Sequence, residues 1–411
     1  MKNRRLSNRI LTFALAAVLF FTLLPAGFSY AEDTGTPEEY IPVKQDAAAL
    51  YAATGKYLKN KLTPTNATYG AEWSVLGLAR SGVKVSYDYY TNLSEYVKEK
   101  IKDGERLHRM YASDNAKVIL TLTAIGKDAS DVAGHDLFGA FSDIDFVKQQ
   151  GVNGLTWTLL ALDCHGYELP EGYVTREQLI DEIVAQQKED GGFCLGLYVN
   201  SDPDITAMTL QSLAPYYGKV AKVTAAVDKA LAWLSAKQNA WGAFGSIDGS
   251  SSESCAQVLV ALTALGIDPD TDERFIKNGW TVVDAISSFG VSGGGFKHVP
   301  SNTELNGLAT LQSYYALTSY YRVKEGKTSL YDMSDVEVVP ALRPKGDVTG
   351  DGEVSADDLT VVSRHVAQIE PLKGNAVLRA ADVAKDGDVS ADDLTVLSRY
   401  VAQIITTLDN E

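Results

Sequence analysis

Cysteine is nearly absent: Cys164, Cys194 and Cys255 are the only three in 411 residues. So sparse and odd a set excludes a disulfide framework, and the three thiols are expected to be buried. Positive charge is also short, with 37 Lys and Arg against 53 Asp and Glu and a net charge of −16. Such a surface repels phosphate backbones and anionic headgroups, so nucleic acid is not an expected partner. Beyond the first 31 residues no apolar run approaches the roughly 20 residues that cross a bilayer, so membrane insertion is not expected either. Histidine is rare, and His108, His135 and His165 lack metal-ligand spacing.

The N-terminus is the exception to this acidity. Lys2, Arg4, Arg5 and Arg9 precede an apolar run from Ile10 to Leu24, then Pro25 and Ser29-Tyr30-Ala31. Residues 1–31 therefore read as a secretory signal peptide, cut after Ala31. A secreted, extracellular protein is expected.

A duplication closes the chain. Val354 to Ile369 and Val389 to Ile404 match at 14 of 16 positions, 35 residues apart. Each copy follows a 12-residue loop, DVTGDGEVSADD from Asp347 and DVAKDGDVSADD from Asp382. Oxygen-bearing side chains at positions 1, 3, 5, 9 and 12, with Gly at 6 for the sharp turn, suit a calcium ion. The first set is Asp347, Thr349, Asp351, the Glu353 carbonyl, Ser355 (directly or through water) and Asp358. The second is Asp382, Asp386, the Asp388 carbonyl, Ser390 and Asp393. Ala384 offers no oxygen at position 3, so two calcium sites are expected, the second weaker. Each loop feeds a helix whose stripe, Leu359, Val362, Val366 and Ile369 or Leu394, Leu397, Val401 and Ile404, is expected to be buried against the other.

Residues 344–406 resemble a type I dockerin. The resemblance implies a calcium-dependent partner, a cohesin module on a scaffold or cell-surface protein, and the company of polysaccharide-degrading enzymes in a cellulosome-like assembly. It also implies partner contacts at loop positions 10 and 11 and on the following helix. Those positions are Ala356, Asp357, Arg364 and Gln368, then Ala391, Asp392, Arg399 and Gln403.

The long middle, 41–322, is organised by an internal repeat. Five apolar segments end at Gly82, Gly126, Gly166, Gly218 and Gly266, and a sixth spans Glu304 to Arg322. Glycine just past a helix is the usual left-handed C-cap. The segments are apolar all round, as Ala256, Val258, Leu259, Val260, Leu262 and Leu265 show, and such helices should be buried. Between them lie amphipathic helices; in 222–236 Val223, Ala226, Val227, Ala230, Leu231 and Leu234 share a face. The fold class expected is all-α: an (α/α)6 toroid, six buried helices inside six half-exposed ones, followed by the small dockerin module. Residues 323–343 read as a linker.

Three loops carry Gly-aromatic signatures: Gln187 to Phe193, Gln238 to Phe244 and Gly293 to Phe296. They are similar to the QW repeat of terpenoid cyclase and protein prenyltransferase toroids, a fold also implied for complement thioester and cobalamin-carrier domains.

Parallel inner helices would gather their acidic starts, Glu72, Asp114, Asp202 with Asp204, Glu253 and Glu304, at one mouth. Capping explains many of them: Asp202 before Pro203, and boxes at Ser250-x-x-Glu253 and Ser301-x-x-Glu304. Three sharper readings stand beside it. Asp202 to Ala207 resembles the DxDDTA motif of class II terpene cyclases, with Asp204 as the acid but Ile205 in place of the next Asp. Glu253-Ser254-Cys255 is similar to part of the prenyltransferase zinc site, with no His on the last inner helix and His298 in the loop before it. A glycoside hydrolase or polysaccharide lyase needs a pair of carboxyls, which Asp202 or Asp204 with Glu253 would supply as catalytic residues. Tyr198, Trp241, Phe244 and Phe296 would then be sugar-stacking aromatics, and a polysaccharide a further partner. A toroid that only binds a ligand remains an equal expectation.

Overall fold

A computed structural model describes residues 42–61, 71–85, 87–102, 104–196, 200–246, 249–339, 344–349, 353–372 and 375–408. The expected signal peptide and its cleavage site lie outside these residues. Fifteen α-helices are described: α1 Ala47–Lys61, α2 Ala71–Arg80, α3 Tyr87–Lys100, α4 Ala112–Ala124, α5 Ile144–Lys148, α6 Val152–Asp163, α7 Arg176–Ala185, α8 Pro203–Leu213, α9 Ala221–Lys237, α10 Ser252–Ala264, α11 Val282–Ser288, α12 Gly307–Lys324, α13 Ala356–Val366, α14 Asn375–Ala381 and α15 Ala391–Val401.

Helices α2, α4, α6, α8, α10 and α12 pack each on the next, and α12 packs back on α2. That closes an inner ring. Helices α7, α9, α11 and α1 lie outside it, against α6, α8, α10 and α12 respectively. The pattern of apolar residues dictates this division. Every residue of α10 from Ser252 to Thr263 is buried. In α9 the six residues of the expected face are buried, with Trp233 beside them, while Lys222, Asp228 and Lys229 are exposed. Tyr89, Leu93 and Val97, one per turn, set α3 against the same core.

The helix-terminal glycines adopt the left-handed conformation expected, with φ of +71° at Gly126 and at Gly266. At Gly126 a side chain would also strike the Glu337 carbonyl 2.7 Å away, because the chain crosses there. Residues 327–339, within the stretch read as a linker, form a strap across the C-terminal ends of inner helices. The Arg80 guanidinium donates to the carbonyls of Leu330 (3.0 Å) and Asp332 (2.7 Å). Asp335 bridges Arg80 (2.7 Å) and Arg322 (2.6 Å). Met333 donates its N–H to the Cys164 carbonyl at 2.7 Å, and Val339 donates to Gly126 at 3.1 Å. Leu330, Tyr331 and Met333 are buried under the ring.

The C-terminal module has its own small core of Val348, Val362, Ala381, Val383, Val389, Leu397 and Leu408. Helices α13 and α15 pack together. Their stripes are buried at Val362 and Leu397, both 0% exposed, but Ile369 and Ile404 face solvent at 68% and 67%. The periodic extrapolation fails there because α13 and α15 end at Val366 and Val401, so both isoleucines lie beyond their helices.

Candidate functional site

The Gly-aromatic loops set the mouth of the ring. The Gln187 amide donates to the Gly191 and Ala226 carbonyls, both at 2.8 Å. Gln238 repeats this with Gly242 and Phe275, both at 2.9 Å. Each glutamine thus ties its own loop to the following segment. The phenylalanine of each loop then reaches the next inner helix: Phe193, Phe244 and Phe296 accept N–H groups from Asp202, Ser251 and Asn306. Those three residues are the N-caps of α8, α10 and α12. The cap of α10 is therefore Ser251, not Ser250, whose hydroxyl instead accepts from Asn239 at 2.9 Å. The Ser301–Glu304 box is not formed, because α12 begins only at Gly307 behind the Asn306 cap.

Four residues after each cap sits a side chain that accepts the phenylalanine N–H. Thr206 takes Phe193 at 2.9 Å and Thr310 takes Phe296 at 3.0 Å. Cys255 takes Phe244 at 3.3 Å. The cysteine thus occupies a threonine position of the repeat, fully buried, with its thiol pushed up to about 12 by burial. Among the described residues it joins no group of three metal-ligating side chains. All three cysteines are buried and free, as expected.

Asp204 and Glu253 fall at the second helical position of adjacent inner helices. Asp202 is spent on capping, accepting from the N–H groups of Asp204 (2.9 Å) and Ile205 (3.2 Å). Asp204 Oδ1 is shut off from solvent and has no partner. Burial first, then the charge of Asp202, pushes its carboxyl up to about 7. Glu253 is 7% exposed, and His298 Nδ1 lies 2.9 Å from each of its oxygens. His298 reaches it because Ser252 donates to the His298 carbonyl (3.0 Å), folding that loop over the start of α10. Histidine spacing in the sequence gives no sign of this pair.

The expected sugar-stacking aromatics are mostly core. Phe244 and Phe296 are 1% and 0% exposed, wedged beneath the loops, and Trp241 packs against Phe289. Tyr198 lies outside the described residues. Trp73, in the first turn of α2, and Tyr111, the N-cap of α4, are partly exposed aromatics at the mouth.

In the C-terminal module, Asp382, Asp386 and Asp393 bring one carboxylate oxygen each within 4.8 Å of one another. Three converging carboxylates fit a hard divalent cation such as calcium. Asp393 also accepts from the Ala384 and Ser390 N–H groups, both at 2.8 Å, joining the start of the loop to its end. Ser390 caps α15, and Asp388 is exposed on the loop. In the first loop, Asp358 accepts from Val348, Thr349 and Ser355, each at 2.8 Å, while Asp347 is buried and Thr349 and Glu353 are exposed. Asp351 lies outside the described residues. The eight expected partner contacts, Ala356, Asp357, Arg364, Gln368, Ala391, Asp392, Arg399 and Gln403, are all exposed.

Residues 345–402 match the family described as the dockerin type I domain. This segment is a dockerin. Dockerins bind calcium and a cohesin partner and occur typically in extracellular proteins. No helix among the described residues is long and apolar enough to cross a membrane. Among solved structures, the type II terpene cyclase MstE from Scytonema aligns with 68% of this chain and 99% of its own at 13% identity, TM-score 0.45. The Candida albicans protein geranylgeranyltransferase-I complexed with GGPP aligns with 71% of this chain and 99% of that chain at 11% identity, TM-score 0.49. Both neighbours are α/α toroids, and identities this low speak to fold alone. No curated protein sequence matches the chain.

Proposed function

We propose that this is a secreted docking protein whose dockerin folds around calcium at two loops, the second weaker. The dockerin binds a cohesin on a scaffold or cell-surface protein and so delivers the toroid to extracellular polysaccharide. The observation that supports this best is the duplicated loop–helix unit: Asp382, Asp386 and Asp393 converge on one point, and the eight partner positions all face outward. The test is cohesin capture by the full chain in calcium and in chelator. Binding that persists in chelator refutes the calcium-dependent reading.

The toroid mouth is read as a glycan site. Cleaving a glycosidic bond takes one carboxyl that holds a proton and one that does not. Asp204, raised toward neutrality by burial, suits the first role. Glu253, 2.9 Å from His298 Nδ1, is the candidate for the partner carboxyl. Asp202 supports the pair by fixing the start of α8. The reaction would be hydrolysis of O-glycosyl bonds or, with Glu253 as the base, lyase elimination. A terpenoid cyclase- or prenyltransferase-type enzyme is the alternative reading; Gln211, Gln257 and Gln312, which form an amide chain across α8, α10 and α12, would then lie within the ring beside the substrate. Release of sugar or unsaturated uronide from a polysaccharide panel, lost in Asp204→Asn, supports the enzyme. Saturable glycan binding without release leaves a binding toroid.

A further inference from the structure

The chain leaves the ring beside the place to which the dockerin returns. The strap ends where Val339 donates its N–H to the Gly126 carbonyl at 3.1 Å and pairs in parallel with Lys127. Only residues 340–343 separate that pin from Pro344. Five steps of fully extended chain reach at most roughly 18 Å, so the dockerin starts close to the end of α4.

The return contact falls one residue beyond Lys127. Arg379, in α14, donates to Asp128 Oδ2 at 3.3 Å. The two members of this pair are unequal. The Asp128 side chain is 12% exposed, and its other oxygen already accepts the N–H and the hydroxyl of Ser130, at 2.9 and 2.7 Å. Arg379 is 49% exposed. An exposed ion pair gains little when two long side chains must both be held still. Here the carboxylate is short and fixed beforehand, so only the arginine loses freedom. The pin at Val339 also makes the contact intramolecular, at high effective concentration.

On the dockerin side the arginine is held at its backbone. The Lys345 ammonium donates to the Arg379 carbonyl (2.9 Å) and to the Asp382 carbonyl, and Gly346 donates to the Ala380 carbonyl (2.9 Å). Ala380 and Ala381 are buried. Asp382 opens the loop in which three carboxylates converge, so an ion there would stiffen the segment that carries Arg379.

Asp128 follows Gly126 at the C-terminal end of α4, whereas Asp204 and Glu253 lie at helix starts, toward the other end of the ring. Helix α4 has 13 residues and so spans roughly 20 Å. We propose that residues 126–130 form a docking surface for the chain's own dockerin, with Arg379 clasped on Asp128, so that the anchor is held in one orientation at the base of the ring, away from the mouth.

The test uses the full chain in calcium, with nitroxide labels on Ala225→Cys of α9 and Thr395→Cys of α15, both exposed positions. Cys164, Cys194 and Cys255 are buried and do not compete for label. Pulsed dipolar spectroscopy should give one narrow distance distribution. Arg379→Ala and Arg379→Glu should each broaden it about twofold or more, as should about 0.5 M salt, which screens charges beyond a few ångströms. Arg379→Lys, which keeps the charge, should stay close to the parent. Calcium-dependent circular dichroism checks that the dockerin of each variant is folded. A broad distribution in the parent, or a width unchanged by Arg379→Glu, overturns the clasp.

Discussion

His298 Nδ1 lies 2.9 Å from both carboxylate oxygens of Glu253, across 45 residues of sequence. Glu253 is nearly buried and His298 is 41% exposed, so the pair links the interior of the mouth to solvent. Replacing the imidazole leaves a buried carboxylate without its main partner. His298→Ala should destabilise the toroid by about 1–2 kcal/mol. His298→Gln, which still donates a hydrogen bond, should recover part of that. Urea melts of the three proteins decide it; an unchanged midpoint in His298→Ala refutes the pairing.

Asp204 gives a pH signature. Its folded-state value, about 7, lies above the ordinary 3.8. Between those values the unfolded chain has ionised and the native state has not, so this residue erodes stability as pH rises, the loss levelling off above about 7. Asp204→Asn removes that dependence. The variant should match the parent near pH 4 and exceed it at pH 8, by roughly 4 kcal/mol. Denaturant melts at the two pH values check this. A variant less stable at pH 8 contradicts the burial argument.

Cys255 stands where the neighbouring repeats have Thr206 and Thr310. Cys255→Thr should therefore fold normally and change stability by less than about 1 kcal/mol. Cys255→Ala should cost about 1–2 kcal/mol, because the buried Phe244 N–H loses its acceptor. Thermal melts and zinc titration together separate this from a metal role: tight zinc binding lost in both variants would support the zinc reading.

Calcium should stabilise the dockerin selectively. Chelation should unfold 345–402 and leave the helical signal of the ring, since the dockerin core is small and its acidic loops repel one another without the ion. Asp358→Ala should be more damaging than Asp393→Ala, because Asp358 accepts three backbone N–H groups and Asp393 two. Circular dichroism during calcium titration reads both effects.

Two short hairpin turns differ in a telling residue. Asn278-Gly279 and Ala133-Gly134 both lie in left-handed conformations, with φ of 51° and 77° in the first and 52° and 88° in the second. Asparagine adopts that region at lower cost than alanine. Ala133→Asn should stabilise the toroid by about 0.5–1 kcal/mol, measured as a raised denaturation midpoint.

Much of this protein was legible along the chain. The duplicated loops, the left-handed glycines and the all-round apolarity of α10 depend on neighbours within a few residues, and local sterics and periodicity decide them. Asp204 and Glu253 could likewise be nominated from their places at helix starts. Contacts between distant residues were not legible in this way. Closing the ring brought His298 onto Glu253, turned Cys255 into a loop acceptor, and drew residues 327–339 under the ring, where Arg80 and Arg322, 242 residues apart, share Asp335. Ile369 and Ile404 continue the helical spacing but not the helix, since hydrogen bonding ends the helices before them. The sequence by itself determined which helices form and which faces they bury, because those follow from short-range energies. Only the tertiary structure decided which carboxyls lose water and which gain a partner, because burial belongs to the assembled ring and to no single segment of it.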